Sequence, residues 1–289
     1  MRPTLTLMRP HQYLKNGFVF LGPLFAHQWS LDTLGQALLV FAAFCAMASA
    51  VYVMNDLMDI EADRAHPVKQ HRPLPSGALS HGRAIQLLAI LAASALALSL
   101  WVSPGVTLCL TAYLGVNVLY SWRLKHVVIL DVFLISSGFM LRILAGTAGL
   151  GLAPSAWLLL CGLMVTLFLG FAKRRAELLV LDDPRADRSL ARRVLDDYSP
   201  AMLDQFIGVT AACTILAYGL YTVSPQAVEL HGSTALVYTL PLVVYGIFRY
   251  VFLLHRRARG NDTARDLIQD RHMLATLGIW LIATLWILA

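Results

Sequence analysis

The sequence predicts an all-α, polytopic membrane protein, and three observations predict it. Of its 289 residues, 58% are hydrophobic and only 14% charged, against about 45–50% and 25% in soluble domains. Mean hydropathy is +0.64. A water-soluble globule cannot hide that much apolar surface, so a soluble cytosolic enzyme, a secreted domain and a disordered chain are excluded. Second, the apolar residues gather into nine segments, near 18–29, 34–54, 84–102, 106–122, 127–149, 156–172, 202–223, 233–254 and 273–289. Third, the basic residues between these segments are sorted into alternate loops, as spanning helices require.

Taken in order, each segment has the length of a spanning helix, about 17–25 residues, except the first. That one is short and is expected to begin nearer Gln12. It follows a basic start, as a cleaved leader would, but Pro23 interrupts it and no small-x-small cleavage site follows, so a retained first span is expected. Arg2, Arg9 and Lys15 precede it. Arg64, Lys69, Arg72 and Arg83 lie between spans 2 and 3, Arg123 and Lys125 between spans 4 and 5. Two richer loops follow, 173–193 between spans 6 and 7 and 255–272 between spans 8 and 9. Outside these loops only Arg142 and Arg249 remain, inside spans 5 and 8. This places the N-terminus in the cytoplasm and the C-terminus outside. The net charge of +6 therefore records orientation and does not call for nucleic acid. Cys45, Cys109, Cys161 and Cys213 each stand alone in an apolar stretch, which suits packing rather than disulfides or zinc.

The acids are sorted as well. Only Asp32 and Glu229 fall in outer loops and Asp131 within span 5; the others lie at or near the basic loops. Carboxylates follow no strong topological rule, so an active site on that face is expected. The end of span 2 reads Asn55-Asp56-Leu57-Met58-Asp59-Ile60-Glu61-Ala62-Asp63. Asn55, Asp59 and Asp63 are spaced i, i+4, i+8 on one helix face, with Asp56 at its edge. Anions at a helix C-terminus oppose the dipole, so a helix merely entering water explains them poorly. A divalent cation relieves the repulsion. Mg²⁺ takes hard oxygen ligands and commonly binds through one or two carboxylates plus substrate phosphates. The loop that follows holds Pro67, Lys69, Arg72, Pro73, Pro75 and Gly77. Its prolines restrict the backbone, while Arg72 offers a fork and Lys69 a point charge for phosphate.

Asn-Asp-x-x-Asp-x-x-x-Asp at the end of span 2, followed by Arg72-Pro73-Leu74-Pro75-Ser76-Gly77, resembles the UbiA prenyltransferase superfamily over nearly the whole chain. The resemblance implies one integral-membrane domain over 1–289, nine helices, and Mg²⁺ holding a diphosphate. Asn55, Asp56 and Asp59 would be the metal ligands, with Asp63 supporting them. Prenyl-transferring members carry a second Asp-x-x-x-Asp after span 6. Here that place reads Lys173-Arg174-Arg175-Ala176-Glu177, and Asp183 and Asp187 lie further on in an Arg-rich loop.

The Lys-Arg run is similar to the branch that transfers phosphoribose to decaprenyl phosphate. So are Arg9-Pro10 with Lys15-Asn16, the stretch from Tyr120 through Leu124-Lys125-His126, the fifth span from Asp131 to Gly146, and Asp270-Arg271. The sequence departs from that branch at 262–266. What the branch implies is Mg²⁺-dependent transfer from 5-phosphoribosyl 1-diphosphate (PRPP) to a polyprenyl phosphate in a bacterial inner membrane. Lys69 and Arg72 would contact pyrophosphate and Lys15 the lipid phosphate. Lys173 and Arg174 would bind the 5-phosphate, with Glu177 orienting them or binding ribose. Tyr120 and Lys125 are further substrate-binding candidates. Arg142 is expected to face the bundle interior, either as a phosphate contact or paired with Asp131 three turns away. Prenyl transfer to an aromatic acceptor such as 4-hydroxybenzoate is the alternative. A transporter would need midplane ions and repeat symmetry, of which the sequence shows one clear interior Arg and no convincing inverted repeat. A homo-oligomer is compatible with these spans.

Overall fold

A computed structural model describes residues 3–28, 30–65, 69–181, 193–257 and 269–288. Among these every regular element is helical. The long helices are α3 (Leu31–Met58), α5 (His81–Val102), α6 (Pro104–Trp122), α7 (Leu130–Gly146), α8 (Ala156–Leu181), α9 (Pro200–Thr222), α11 (Leu240–Arg257) and α12 (Arg271–Leu288). Among the described residues, eight segments are long and apolar enough to cross a membrane. The short helices are α1 (Pro3–Met8), α2 (Leu21–Phe25), α4 (Ile60–Ala65) and α10 (Pro225–His231).

The ninth expected span takes another form. It is a 3₁₀ helix, Pro10–Phe20, running directly into α2. With a rise of about 2 Å per residue in the first part and about 1.5 Å in the second, this stretch covers about 30 Å, the thickness of a bilayer core. It begins and ends earlier than the hydropathy suggests. The second span runs longer than expected, to Met58, so Asn55 and Asp56 lie within the helix. The extra helix α10 between spans 7 and 8 was not expected.

Serine starts five of the helices. Ser30, Ser80, Ser103, Ser199 and Ser224 each accept a backbone N–H from three residues on, satisfying a donor the helix leaves open. In the last three, proline follows at the first helical position, where its missing N–H costs nothing. Gly232 closes α10 with a left-handed φ of 64°.

The chain forms two compact units. The first contains the described residues up to Pro23, those from 30 to Arg123, and Leu141–Ala153. Its core gathers Val19, Val40, Phe44, Met47, Leu110 and Tyr113. In it the 3₁₀ stretch and α2 lie backbone to backbone on the end of α7. A Cβ on Gly22 would stand 1.9 Å from the carbonyl oxygen of Gly146, and one on Gly146 1.9 Å from that of Val19. Small residues permit such approach where lipid offers no hydrophobic drive between helices. Gly146→Val is expected to cost stability at the upper end of about 1–3 kcal/mol, because backbone atoms cannot move aside. A lower Tm in detergent checks this; an unchanged Tm would remove the contact.

The second unit contains Leu24–Gln28, Leu124–Met140 and the described residues from Pro154 on. Its core is built from Val132, Phe168, Phe171, Leu203, Ile207 and Leu253. At the start of α12, Arg249 forks onto Asp270, with Nε donating to Oδ1 at 3.1 Å and Nη2 to Oδ2 at 2.9 Å. Asp270 also caps α12 by accepting the Met273 N–H. The Arg249 hydrogen bonds hold its carboxyl down to about 2. A depressed carboxyl contributes stability that is whole above its unfolded value, about 4, and lost as pH falls through the folded one. The Tm should therefore drop between about pH 4 and pH 2, and Asp270→Asn should flatten that drop.

Candidate functional site

The acidic motif sits where α3 ends in the first unit. Asp59 leaves helical geometry at φ −98°, ψ 10°, the sparsely allowed region that active-site residues often occupy. Register survives the break. The Asp59 N–H donates to Asn55 O at 3.0 Å, and the Asp63 N–H to Asp59 O at 2.8 Å. Asn55, Asp59 and Asp63 thus keep the four-residue steps read from sequence. Asn55 and Asp59 are half-buried, whereas Asp56 and Asp63 are buried.

The buried pair holds cations. Arg9 Nη2 donates to Asp56 Oδ1 at 2.6 Å, and Arg72 Nη1 approaches the same oxygen at 3.4 Å. Arg72 Nη1 also donates to Asp63 Oδ2 at 2.7 Å, and Lys69 Nζ lies 3.9 Å from Asp63 Oδ1. Arg9 further stacks over the Tyr52 ring at 4.9 Å. Asp56, expected among the metal ligands, shares its Oδ1 between two guanidiniums in this structure. Ser121 Oγ donates to Asn55 Oδ1 at 2.7 Å, which fixes the amide's orientation from α6.

The Asn55 amide oxygen and the Asp59 carboxylate are two hard oxygen donors at this break. Two hard oxygen donors beside phosphate-binding cations fit Mg²⁺ completed by substrate phosphate and water. Among the described residues no three His, Cys, Asp or Glu side chains cluster to hold a metal unaided. A cavity of about 440 Å³ beside the end of α3 and α4 is lined by Leu57, Met58, Glu61, Arg64, Ser80 and His81, among others. None of the predicted site residues lines it.

Lys15 is half-buried on the 3₁₀ helix. Tyr120 is half-buried in the last turn of α6. Arg142 lies inside the first unit, as expected of an intramembrane cation. Its Nε donates to Asn16 Oδ1 at 2.7 Å and Nη2 to Tyr113 OH at 3.2 Å. The guanidinium stands 4.6 Å from the Tyr113 ring centre and 5.5 Å from that of Phe44. These bonds tie the 3₁₀ helix, α6 and α7 together.

In the second unit, Arg174 is fully buried. Its Nε donates to Asp131 Oδ2 at 2.6 Å and its Nη1 to Glu177. Arg174, expected to bind phosphate, is here enclosed by two carboxylates at 0% exposure. Glu177, expected to orient the run or to bind ribose, accepts from Arg174. Lys173 is half-buried one residue before, and shares the Glu177 face at i, i+4. Tyr198 OH donates to Asp131 Oδ1 at 2.8 Å and accepts the Ile129 N–H at 2.7 Å. Burial first, then its bond to Asp131, pushes the Tyr198 hydroxyl up, so it keeps its proton. Lys125 is half-buried on the 3₁₀ turn Leu124–His126. Asp183, Asp187 and the 262–266 stretch lie outside the described residues.

Sequence reasoning missed Arg9, Ser121 and Tyr198 as members of these clusters. Arg9 was visible as a charge before span 1 and in the opening Arg9-Pro10 stretch, but with no role assigned. Its partner is 47 positions away, which no spacing rule reaches.

Residues 17–278 match the UbiA prenyltransferase family. The chain is 31% identical over 285 residues to the decaprenyl-phosphate phosphoribosyltransferase of Corynebacterium glutamicum, covering 97% of this chain and 83% of that one. It is 30% identical over 256 residues to the protein of the same name from Mycolicibacterium smegmatis, covering 83% and 80%. A UbiA homologue from Archaeoglobus fulgidus, solved with GPP and Mg²⁺, superposes with a TM-score of 0.74 at 16% identity, covering 99% of both chains.

Proposed function

Because the chain belongs to the UbiA prenyltransferase family, we propose that it is a Mg²⁺-dependent transferase moving 5-phosphoribose from PRPP to a polyprenyl phosphate. The observation that carries this reading is the near full-length similarity to two proteins named for that activity. The basic run at Lys173, where prenyl-transferring members carry acids, supports it. In this reading a lipid phosphate oxygen attacks ribose C1, the C1–oxygen bond breaks, and pyrophosphate leaves with the electron pair. The nucleophile is already anionic, so no general base is needed.

Mg²⁺ held by Asn55 and Asp59 supplies charge neutralisation on the leaving pyrophosphate. Arg72 and Lys69, with Arg9 beside them, bind pyrophosphate oxygens. Asp56 and Asp63 hold those cations in place. Lys15 binds the lipid phosphate. Lys173 binds the 5-phosphate and Glu177 the ribose hydroxyls, with Tyr120 and Lys125 as further substrate contacts. The protein would lie in the bacterial inner membrane with its N-terminus cytoplasmic, as the basic loops imply. The product would be a lipid-linked phosphoribose for cell-envelope pentose donors.

Radiolabelled PRPP, decaprenyl phosphate and Mg²⁺ with the detergent-purified protein test this. Label passing into the lipid phase is expected. Absence of transfer, with turnover of a prenyl diphosphate and 4-hydroxybenzoate, would favour prenyl transfer instead.

A further inference from the structure

We infer that Asp131 and Tyr198 are positioning residues that set the geometry of the substrate-binding side chains on α8 and on the Leu124–His126 turn. The inference rests on the phosphoribosyl-transfer reading above. Five groups form one chain of four hydrogen bonds inside the second unit. The Ile129 N–H donates to Tyr198 OH, Tyr198 OH donates to Asp131, and Arg174 donates both to Asp131 and to Glu177. Asp131 and Arg174 are 0% exposed and Tyr198 5%, so none of the three can meet a substrate.

What they act on lies at the two ends of the chain. At one end, Ile129 holds a left-handed φ of 68°. A β-branched residue adopts that backbone only where its surroundings over-determine it. The Tyr198 hydroxyl is the group that pins its amide, and with it the turn carrying Lys125. At the other end, Arg174 anchors the carboxylate of Glu177, on the face shared with Lys173. A buried ion pair yields little net stability for its desolvation; what this one yields is fixed geometry between two segments that sequence separates by about forty residues.

Tyr198→Phe removes the hydroxyl and keeps the ring. In detergent-purified protein it is expected to raise the KM for PRPP about tenfold, with kcat and the KM for polyprenyl phosphate within about twofold of wild type. Hydrogen exchange of the 124–131 segment should quicken in the same variant. Asp131→Asn, which keeps the shape and removes the charge, should reproduce the split. An unchanged KM for PRPP in a folded variant overturns the inference. So does a parallel fall in kcat, both affinities and Tm, or loss of fold in both variants, since each marks a merely structural role. If the wild-type protein transfers nothing from PRPP, the functional reading falls by itself. Hydrogen exchange then decides the clamp, and unchanged exchange in Tyr198→Phe overturns it.

Discussion

Asp59→Ala is expected to lower phosphoribosyl transfer at least about a thousandfold while the protein stays folded. Asp59 lies half-buried at the break between α3 and α4, and the backbone bonds that carry the helix across it are made by the peptide groups, not the side chain. Removing one of several stacked carboxylates relieves repulsion, so Tm should hold or rise. What is lost is the carboxylate half of a two-residue donor set for Mg²⁺. Two measurements check it. Label transfer to the lipid should vanish. The rise in Tm that Mg²⁺ with pyrophosphate produces in wild type should vanish too, since a ligand stabilises the state that binds it. Retained transfer would remove Asp59 from the metal site.

Arg174→Ala is expected to destabilise the protein by about 3–5 kcal/mol, the cost of leaving buried charge uncompensated. Asp131 would then face the interior at 0% exposure with the Tyr198 hydroxyl donating to it. Poor yield and a Tm far below wild type in detergent are the readouts. A well-folded Arg174→Ala with only a raised KM for PRPP would return Arg174 to the phosphate-binding role first expected of it.

These two variants mark what sequence could and could not show. The Asn55–Asp59–Asp63 face was legible because four-residue spacing is a local property of a helix, and it persists through the break. That Asp56 serves Arg9 and Arg72, and that Arg174 is enclosed by Asp131, was not legible. A basic residue reads alike on a surface and in a core until its partner is placed. Hydropathy located most ends of the long helices to within a few residues, but α8 runs nine residues past its expected end, to Leu181, and α11 starts seven after its expected start, at Leu240. It misjudged the first because apolar content says nothing about whether the backbone winds with three residues per turn or 3.6.

That last difference has a consequence. Between Pro10 and Phe20 the chain is a three-sided prism, not a cylinder, since side chains three apart stand in one column. One edge is Tyr13, Asn16 and Val19. Tyr13 meets Ser49 at 2.8 Å, Asn16 meets Cys45 at 3.1 Å, and Val19 is fully enclosed. A second edge, Gln12, Lys15 and Phe18, is half-buried and carries the cation assigned to lipid phosphate. The third, His11, Leu14 and Gly17, is the most open. Lys15 therefore owes its aim to a winding number. One residue inserted or removed in this stretch would turn the prism by a full face, handing the place of the lysine to a residue that cannot hold a phosphate.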